Sequence, residues 1–331
     1  AQIPLERYNG MLLGRYDVSD NVEFYGRANY EHVKVVTTLA PTATAGYTFN
    51  IDPSNPFLTD DERATFFDPS NPDLVINDGS NVANDPTARA GTSTIGIRRR
   101  IVETGGRVEI HNTKSYQFVG GFRGTIGDNY HWDVFAQYGE VKRHEVLKND
   151  LSYSALQQAL DVVNGPNGPQ CYDPSNGCVP LNLFSTTPIP ASQLAFVLRD
   201  ATQDTKSSQF VAGANLAGDI KFLKSPFADE TAAFSVGVEY RREKAATTVS
   251  PEYASGDLIY YGQGQDIAGS YNTKEAYIEL KMPVVQDKPF IKSLNIEGGF
   301  RYSKYSTVGS VYTYKGGGDY SPVEGVRFRG I

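Results

Sequence analysis

An all-β fold, in the form of an antiparallel transmembrane β-barrel, is the fold class that the sequence predicts from three observations. Apolar and polar residues alternate with period two in many short segments. The apolar side of these segments carries aromatic residues near both ends. Short and long connections alternate along most of the chain. Together these patterns are typical of a barrel with short turns on one side of a membrane and long loops on the other.

The period-two alternation is clearest in four segments, 130–138, 230–241, 275–282 and 294–303. Weaker alternation follows in four others, which are 5–17, 22–33, 116–126 and 208–219. One apolar residue, Phe135, falls on the polar side of its segment. Because successive side chains of a strand point to opposite faces, each segment predicts a strand with one apolar and one polar face.

Aromatic residues recur six or eight positions apart on the apolar side of several segments. Such pairs lie ~20–27 Å apart on a strand that rises about 3.3 Å per residue. After allowance for strand tilt, this spacing suits two interfacial girdles around an apolar band ~25 Å tall. The pairs are Tyr8 and Tyr16, Phe24 and Tyr30, and Trp132 and Tyr138.

The connections between the predicted strands differ in length in a regular way. Tight turns are expected at 18–21, 127–129 and 321–325, and moderately short ones near 223–229 and 284–291. Long polar loops are expected at 39–93, 149–204 and 247–270, and the connection near 306–311 is the short exception on their side. A soluble β-sandwich has no reason to place its long loops at one end, so this alternation favours the barrel.

The composition is compatible with a membrane barrel and limits the partners. Hydrophobic residues make up 40% of the 331 residues, and no run reaches the ~18 apolar residues of a membrane helix. A barrel has moderate hydropathy because only every second strand residue meets lipid. The net charge of −7 leaves no general basic field, so we expect no nucleic-acid partner.

Cys171 and Cys178 are the only two cysteines and stand seven residues apart around a turn with proline and glycine. This spacing is compatible with disulfide geometry, and the long loops of an exported barrel lie in an oxidising compartment. We therefore predict a disulfide, and the alternative is two free thiols. A metal site on these cysteines is not expected, because no second pair and no adjacent histidine completes it.

Two loop motifs are candidate ligand-binding sites. Arg98 and Arg100 belong to a basic cluster after the first long loop and suit an anionic ligand or a lipopolysaccharide phosphate. The alternative is a set of solvated charges on a strand that extends beyond the membrane. Tyr260 and Tyr261 precede a Gly- and Gln-containing stretch that suits sugars or aromatic ligands. The alternative for the tyrosines is packing against neighbouring loops.

No motif predicts catalysis or a cofactor. The sequence has no Gly-x-Ser-x-Gly elbow, no phosphate-binding loop and no dinucleotide fingerprint, so we predict no catalytic residue, no enzyme and no cofactor. The Asp73–Asp78 stretch favours a solvated turn over a Ca²⁺ site. We predict no metal site, because the four histidines share no ligand spacing and are interpreted as ordinary strand residues: His32, His111, His131 and His144.

The stretch from Cys171 to Phe184, CYDPSNGCVPLNLF, resembles the Cys-bounded outer-loop motif of one branch of the TonB-dependent receptors. The following 189–194 also fits that loop. Further phrases resemble the barrel part of the same family, and the resemblance covers most of the chain. They are RRR at 98–100 with GGR at 105–107, GGFRG at 120–124 before YHWD at 130–133, and YKGGG at 314–318 with the stretch 320–330.

The resemblance implies outer-membrane uptake of a scarce small nutrient, such as a siderophore, cobalamin or a saccharide. It also implies an N-terminal plug domain and TonB as the partner that supplies energy. We count about ten strands, whereas plugged transporters of this type have 22. We therefore expect residues 1–331 to be an internal part of one β-barrel domain, without the plug and the C-terminal strands. This accounts for a start at Ala1 without a signal peptide.

Seven charged residues on the polar side of the predicted strands are expected to face the barrel lumen. We expect them to form a hydrated, charge-balanced inner wall, with lipid and lipopolysaccharide as partners of the opposite face. The alternatives to the function of nutrient uptake are a passive porin or structural barrel, a β-sandwich adhesin, and an outer-membrane hydrolase. The predicted lumen residues are Glu239, Arg241, Glu275, Glu279, Lys281, Glu297 and Arg301.

Overall fold

The computed structural model describes residues 3–331; Ala1 and Gln2 lie outside the described residues. The helices are α1 (Asp60–Phe66), α2 (Tyr153–Leu160), α3 (Ala191–Val197) and α4 (Pro251–Ser255). The strands are β1 (Leu5–Ser19), β2 (Val22–Leu39), β3 (Thr48–Ile51), β4 (Val75–Ile76), β5 (Ser93–Gly96), β6 (Arg107–Ile126), β7 (Tyr130–Leu151), β8 (Val162–Gly165), β9 (Gly168–Cys171), β10 (Leu198–Lys224), β11 (Thr231–Val249), β12 (Ile267–Lys288), β13 (Ile291–Tyr305), β14 (Gly309–Ser321) and β15 (Phe328–Gly330).

Ten strands form one antiparallel sheet in the order β1-β2-β6-β7-β10-β11-β12-β13-β14-β15. Every neighbour in this sheet is the next strand of the same sheet along the chain, so the sheet is an up-and-down meander. The predicted all-β fold and the count of about ten strands are confirmed. Within residues 3–331 the sheet is open, with β1 at one edge and β15 at the other.

Residue parity decides which face of this sheet a side chain occupies. Over the regular ladders, each residue pairs with one of the same parity, as in Phe234 opposite Leu280 and Glu239 opposite Glu275. Directly opposite residues lie on the same face. The even-numbered residues therefore form one continuous face, which is largely apolar, and the odd-numbered residues form the polar face. This confirms the predicted alternation.

The apolar face is open to its surroundings rather than packed into a core. Leu12, Val238 and Ile296 are 72%, 56% and 53% exposed. Aromatic side chains lie in two rows on this face; the rows are six to eight residues apart on β1, β2 and β7 and four residues apart on β6. One row, nearer the short turns, includes Tyr16 opposite Phe24 and Phe24 opposite Phe122. The other, nearer the long loops, joins Phe118, Tyr138 and Phe210 as direct neighbours on three strands.

Aromatic rings on the polar face lie over glycines of the neighbouring strand. Phe135, the exception in the alternation, is opposite Gly213, and a Cβ atom there would lie 3.0 Å from the ring. Tyr277 likewise covers Gly237, where a Cβ would lie 2.5 Å from the ring. The missing side chain gives each ring a place to lie flat on the sheet. The tyrosine hydroxyl then accepts a hydrogen bond from Asn215 at 2.7 Å.

The long loops run from 40 to 106, from 152 to 197 and from 250 to 266, and all lie at the same end of the sheet. They are displaced from the predicted bounds because β6, β7, β10, β11 and β12 begin or end elsewhere than expected. Within the second loop, α2 ends at Leu160, and Val163 lies in β8. Within residues 3–331, no helix is long and apolar enough to cross a bilayer.

Candidate functional site

The three long loops pack into one folded unit, which we call the outer cap: residues 40–106, 152–197 and 250–266. Its centre is a hydrophobic core to which all three loops contribute, joined by Leu151 at the end of β7. Loops with such a core hold a defined shape, because each buried aliphatic side chain contributes about 1.5–3 kcal/mol. Large apolar side chains buried in the cap include Phe49, Ile51, Ile101, Leu156, Leu160, Val162, Leu181, Val197 and Ile259.

A buried ion cluster joins the first loop to the second. Arg89 lies between two carboxylates, with Asp52 at 2.8 Å and Asp161 at 2.5 Å. The guanidinium carbon also lies 3.4 Å from the ring centroid of Tyr172. A planar cation held by two carboxylates and one aromatic face has little freedom to move. The cluster therefore fixes how the first two loops sit against each other.

The third loop is attached to the second through Asp257. Its carboxylate accepts from the Ser154 amide at 2.7 Å and from the Ser152 hydroxyl. Ser152 is the N-cap of α2 and accepts from the Ala155 amide at 3.1 Å. The start of α2 is thus held by its own cap and by the neighbouring loop at once.

The predicted disulfide is present. Cys171 and Cys178 are bonded, with their Cα atoms 6.3 Å apart. The turn that they enclose is shaped by Asp173, which accepts from the amide of Ser175 at 2.9 Å. The same hydrogen bond, from a serine amide to the carboxylate of the aspartate two residues earlier, recurs in the repeated DPSNP phrase of the first loop, at Ser54 and Ser70. The three related phrases therefore fold into the same kind of Asx turn.

A depression of about 390 Å³ opens where the first and second loops meet. The Arg89–Asp161 pair and the ring of Tyr172 form part of its wall, beside the disulfide turn. A depression of this size, with an aromatic face and several hydrogen-bonding groups, has the character of a small-molecule site. Other polar side chains on its wall are Asp85, Gln157, Gln158 and Asp173.

The two candidate arginines are at the base of the cap, near the strand ends. Arg98 is exposed, and its side chain makes no hydrogen bond or ion pair within residues 3–331. Arg100 is also exposed and donates to the Pro41 carbonyl at 2.7 Å. Arg99, between them, is instead turned into the cap, where it pairs with Glu103 at 2.7 Å. The ligand-binding role of Arg98 and Arg100 stays a prediction.

The two candidate tyrosines use their hydroxyls to hold loops together. Tyr260 donates to the carbonyl of Ala45, and its amide donates to the Tyr47 hydroxyl at 2.9 Å. Tyr261 donates to Glu109 at 2.7 Å. Both contacts tie the third loop to the first or to the strand that follows it. This packing role was the alternative interpretation, and the ligand-binding role stays a prediction.

The seven charged residues expected in the lumen all lie on the odd-numbered polar face of β11, β12 and β13. Most are paired there with an opposite charge, so the face is charge-balanced. That this face lines a lumen stays a prediction. The pairs are Arg241 with Glu239 at 2.9 Å, Arg301 with Glu275 at 2.9 Å, Lys315 with Glu279 at 3.0 Å and Arg329 with Glu297 at 2.8 Å; Lys281 lies opposite Glu297.

Within the described part of the chain, no group of three or more His, Cys, Asp or Glu side chains converges as metal ligands do. His32 bonds to Asn112 at 2.8 Å and His144 to Asp204 at 2.7 Å, both across neighbouring strands. His111 lies on the other face, beside Glu145 at 3.4 Å.

The ion cluster of the cap separates the pKa values of its two carboxylates. Burial raises the pKa of Asp161, and the Arg89 guanidinium offsets only part of this effect. Burial acts in the same direction on Asp52, but hydrogen bonds from Ser54 and Arg89 outweigh it and leave that pKa below its usual range. Asp52 therefore retains its charge to lower pH than Asp161 does.

Two groups of residues were missed in the sequence. The Arg89–Asp161 pair spans 72 positions and has no local signal. The second group is a row of lysines on the apolar face, at 114, 142 and 206, and it did have a local signal in the sequence. Each lysine stands four residues from an aromatic residue of the same parity. The aromatic residues are Phe118, Tyr138 and Phe210.

A family model described as "TonB dependent receptor-like, beta-barrel" matches residues 46–330. A search of curated proteins returned no match. Two similar solved structures are a mutant of the ferric enterobactin receptor PfeA from Pseudomonas aeruginosa and the RagAB peptide transporter. The PfeA mutant is 10% identical to this chain, with a TM-score of 0.44, and the match covers 98% of this chain and 32% of the PfeA chain. The RagAB chain is 11% identical, with a TM-score of 0.48, and the match covers 96% of this chain and 30% of the RagAB chain. The chain thus spans about a third of the length of either.

Proposed function

Because the chain belongs to the TonB-dependent receptor-like β-barrel family, we propose that it forms part of the wall of a receptor in the bacterial outer membrane. The receptor takes up a scarce small nutrient, and TonB transmits the energy for uptake. A siderophore, cobalamin and a saccharide are the ligand classes that fit this role. The proposal assigns no enzymatic activity and no cofactor to the chain.

One observation carries the proposal: the sheet has one exposed apolar face with two aromatic rows and one charge-balanced face, and the outer cap stands at one end. An exposed apolar face this continuous is costly in water, and aromatic rows at its two limits suit the interfaces of a bilayer. The ion pairs of the opposite face, such as Arg301 with Glu275, suit a hydrated lumen. The cap then lies outside the cell, where it meets the ligand first.

The open sheet bears on the rest of the barrel. The edges at β1 and β15 carry unpaired backbone groups, which hydrocarbon does not tolerate. We propose that further strands of a 22-stranded barrel pair with both edges. A plug domain inside that barrel then contacts the odd-numbered face and presents a segment to TonB. Residues 1–331 are in this proposal one part of the barrel domain.

For ligand capture we propose the outer cap, with two regions inside it. Arg98 and Arg100 are exposed cations at its base and suit an anionic ligand. The depression beside Arg89 and Tyr172 suits a small ligand with a ring and several polar groups. Tyr260 and Tyr261 do not line this depression. We propose that their rings contact ligand elsewhere on the cap, since their hydroxyls are occupied.

The mass of the parent polypeptide is the first test. Outer membranes are isolated and extracted with detergent, and the denatured mass is compared with the 36.3 kDa of this chain. A parent two to three times heavier leaves room for a plug and the remaining strands. A parent near 36.3 kDa excludes the plug and with it the TonB mechanism. Recovery in the aqueous phase without detergent favours a soluble sandwich.

Uptake is the second test, made in cells with and without the gene and with and without TonB. The probes are a ferric siderophore, cobalamin and an oligosaccharide, each offered at nanomolar concentration. We expect one probe to accumulate only where both genes are present. Accumulation that requires this gene but persists without TonB contradicts the proposal and assigns a passive porin instead.

A further inference from the structure

Three lysines form a continuous row on the apolar face of the sheet. Lys114 on β6 lies directly opposite Lys142 on β7, and Lys142 lies directly opposite Lys206 on β10. All three side chains are exposed. Directly opposite residues on neighbouring strands have Cβ atoms about 4.5–5.5 Å apart. Like charges at that distance repel, so the row is unfavourable unless an anion lies close to it.

The row has a defined height on the sheet. Each lysine stands four residues nearer the outer cap than an aromatic residue on the same strand and face. Those aromatic residues, Phe118, Tyr138 and Phe210, are themselves direct neighbours. Four residues correspond to ~13 Å along a strand, and to less along the membrane normal because the strands tilt. If the aromatic row lies at the membrane–water interface, the lysines lie outside it, at the level of the lipid head groups.

A single carboxylate holds the row in place. Glu140 is buried, with its side chain 3% exposed, and it accepts from the hydroxyls of Tyr116 at 2.6 Å and Tyr138 at 2.7 Å. It also pairs with Lys142 at 3.0 Å and Lys206 at 3.1 Å. The two lysine side chains nevertheless remain 56% and 55% exposed. Glu140 thus orients the ammonium groups and leaves them accessible.

The local charges do not balance. Within residues 3–331, Lys114 makes no ion pair, and Glu140 is the one carboxylate that pairs with the row. The row of three lysines therefore has one carboxylate partner, and the next carboxylate on this face, Asp204, is bonded to His144 at 2.7 Å. Arg242 and Lys244 on β11 extend the positive region on the same face, and neither is paired within the described residues. The excess charge calls for an external anion.

We propose that this lysine row is a binding site for the phosphate groups of a glycolipid in the outer leaflet of the membrane. The proposal rests on the proposed function, because it takes the even-numbered face to lie in the bilayer with the outer cap outside. Ammonium groups beyond an apolar, aromatic-lined surface receive the lipid phosphates while the acyl chains cover that surface.

The geometry favours a lipid with two separated phosphates over a single one. The row crosses three strands and so spans about 10 Å, twice the spacing between strands. Lys114 at one end and Lys206 at the other therefore meet separate anionic groups, with Lys142 between them. A phospholipid head group or inorganic phosphate satisfies one end only. Diphosphoryl lipid A, which carries a phosphate at each end of its disaccharide, is the lipid to which the proposal commits.

The experiment uses the full-length protein, purified in detergent and titrated with diphosphoryl lipid A while native mass spectrometry counts the bound lipid. The test variant carries Lys114→Gln, Lys142→Gln and Lys206→Gln. A control variant carries Lys221→Gln, Lys224→Gln and Lys288→Gln, three exposed lysines at the short-turn end of the sheet. We expect roughly 100-fold weaker binding in the test variant, from about 1 kcal/mol per lysine near an anionic surface, and less than about a twofold change in the control.

Replacement of the same three lysines by arginine should retain binding, since the charge is kept. Dephosphorylated lipid A should bind the wild-type protein no better than diphosphoryl lipid A binds the test variant. Heat-modifiable migration on a denaturing gel checks that each variant is folded. The proposal is overturned if the folded test variant binds diphosphoryl lipid A like wild type, if the control loses as much, or if phosphatidylglycerol or inorganic phosphate competes equally. Each of these results, in a protein that still resides in the outer membrane and binds TonB, leaves the proposed function intact.

Discussion

The guanidinium of Arg89 donates to both carboxylate oxygens of Asp161, at 2.5 and 3.0 Å, and so joins the first long loop to the second. The Asp161 side chain is 5% exposed, and that of Arg89 is 17% exposed. A pair this deeply placed is costly to break from one side, because the remaining charge stays buried without a partner. The cap therefore depends on the pair for its shape.

Removal of Arg89 should loosen the cap without unfolding the sheet. We expect Arg89→Met to destabilise the cap by about 3 kcal/mol, the cost of an uncompensated buried carboxylate. Limited proteolysis of the detergent-purified protein measures the effect as faster cleavage within residues 40–106 and 152–197. The matched control is Arg98→Met, since Arg98 is exposed and makes no polar contact within the described residues. Equal cleavage rates in the two variants would contradict the assigned role.

The disulfide should stabilise the cap by a similar amount. The bond between Cys171 and Cys178 closes a short loop with a sequence separation of 7. Loop-closure entropy for this length corresponds to about 2.5 kcal/mol. In a Cys171→Ser, Cys178→Ser double variant, proteolysis of residues 168–190 should accelerate, whereas the melting temperature of the sheet should not move. A fall of that melting temperature by more than a few degrees would show that cap and sheet unfold together.

A methyl group at Gly237 should disturb the sheet. A Cβ there would lie 2.5 Å from the ring of Tyr277, and the ring would have to leave its place over the strand. We expect Gly237→Ala to cost about 1–3 kcal/mol, as overpacking does elsewhere. Gly269→Ala is the control, because a Cβ at Gly269 on β12 meets nothing within 4 Å. Urea unfolding in detergent compares the two, and an equal loss in both would rule out the ring contact as the cause.

Acid should weaken one contact between the first and second loops. Burial acts to raise the pKa of the Glu103 carboxyl. Hydrogen bonds from the amides of Glu103 and Ile189, together with the Arg99 guanidinium, outweigh burial and leave the pKa of Glu103 below its usual range. A carboxyl whose pKa is lower in the folded than in the unfolded state stabilises the fold at a pH above its unfolded-state pKa. This contribution is lost as the pH falls through its folded-state pKa. We therefore expect faster exchange of the Ile189 amide proton below about pH 4, once intrinsic rates are corrected. Glu103→Gln should remove this pH dependence, and an unchanged pH profile in that variant would contradict the assignment.

The alternation of the strands was accessible from the sequence because it follows from local backbone geometry. In any strand, successive side chains point to opposite faces, so every second residue lies on the same face. Glu239, Arg241 and Glu275 could therefore be assigned to the polar face before the register was known. Strand ends were less accessible. β10 begins at Leu198 rather than after 204, because its extension beyond the alternating segment depends on pairing with β7.

The sequence by itself determined the fold class and the two faces of the alternating strands, and it predicted the pairing of two nearby cysteines. The tertiary structure alone decided the shape of the outer cap, the contact between Arg89 and Asp161, and the union of Lys114, Lys142 and Lys206 in one row. It also explained Phe135, whose place on the polar face requires Gly213 directly opposite. The physical reason is the range of the interactions: side-chain alternation is set within a few residues, whereas register and loop packing are set by contacts between residues far apart in the chain.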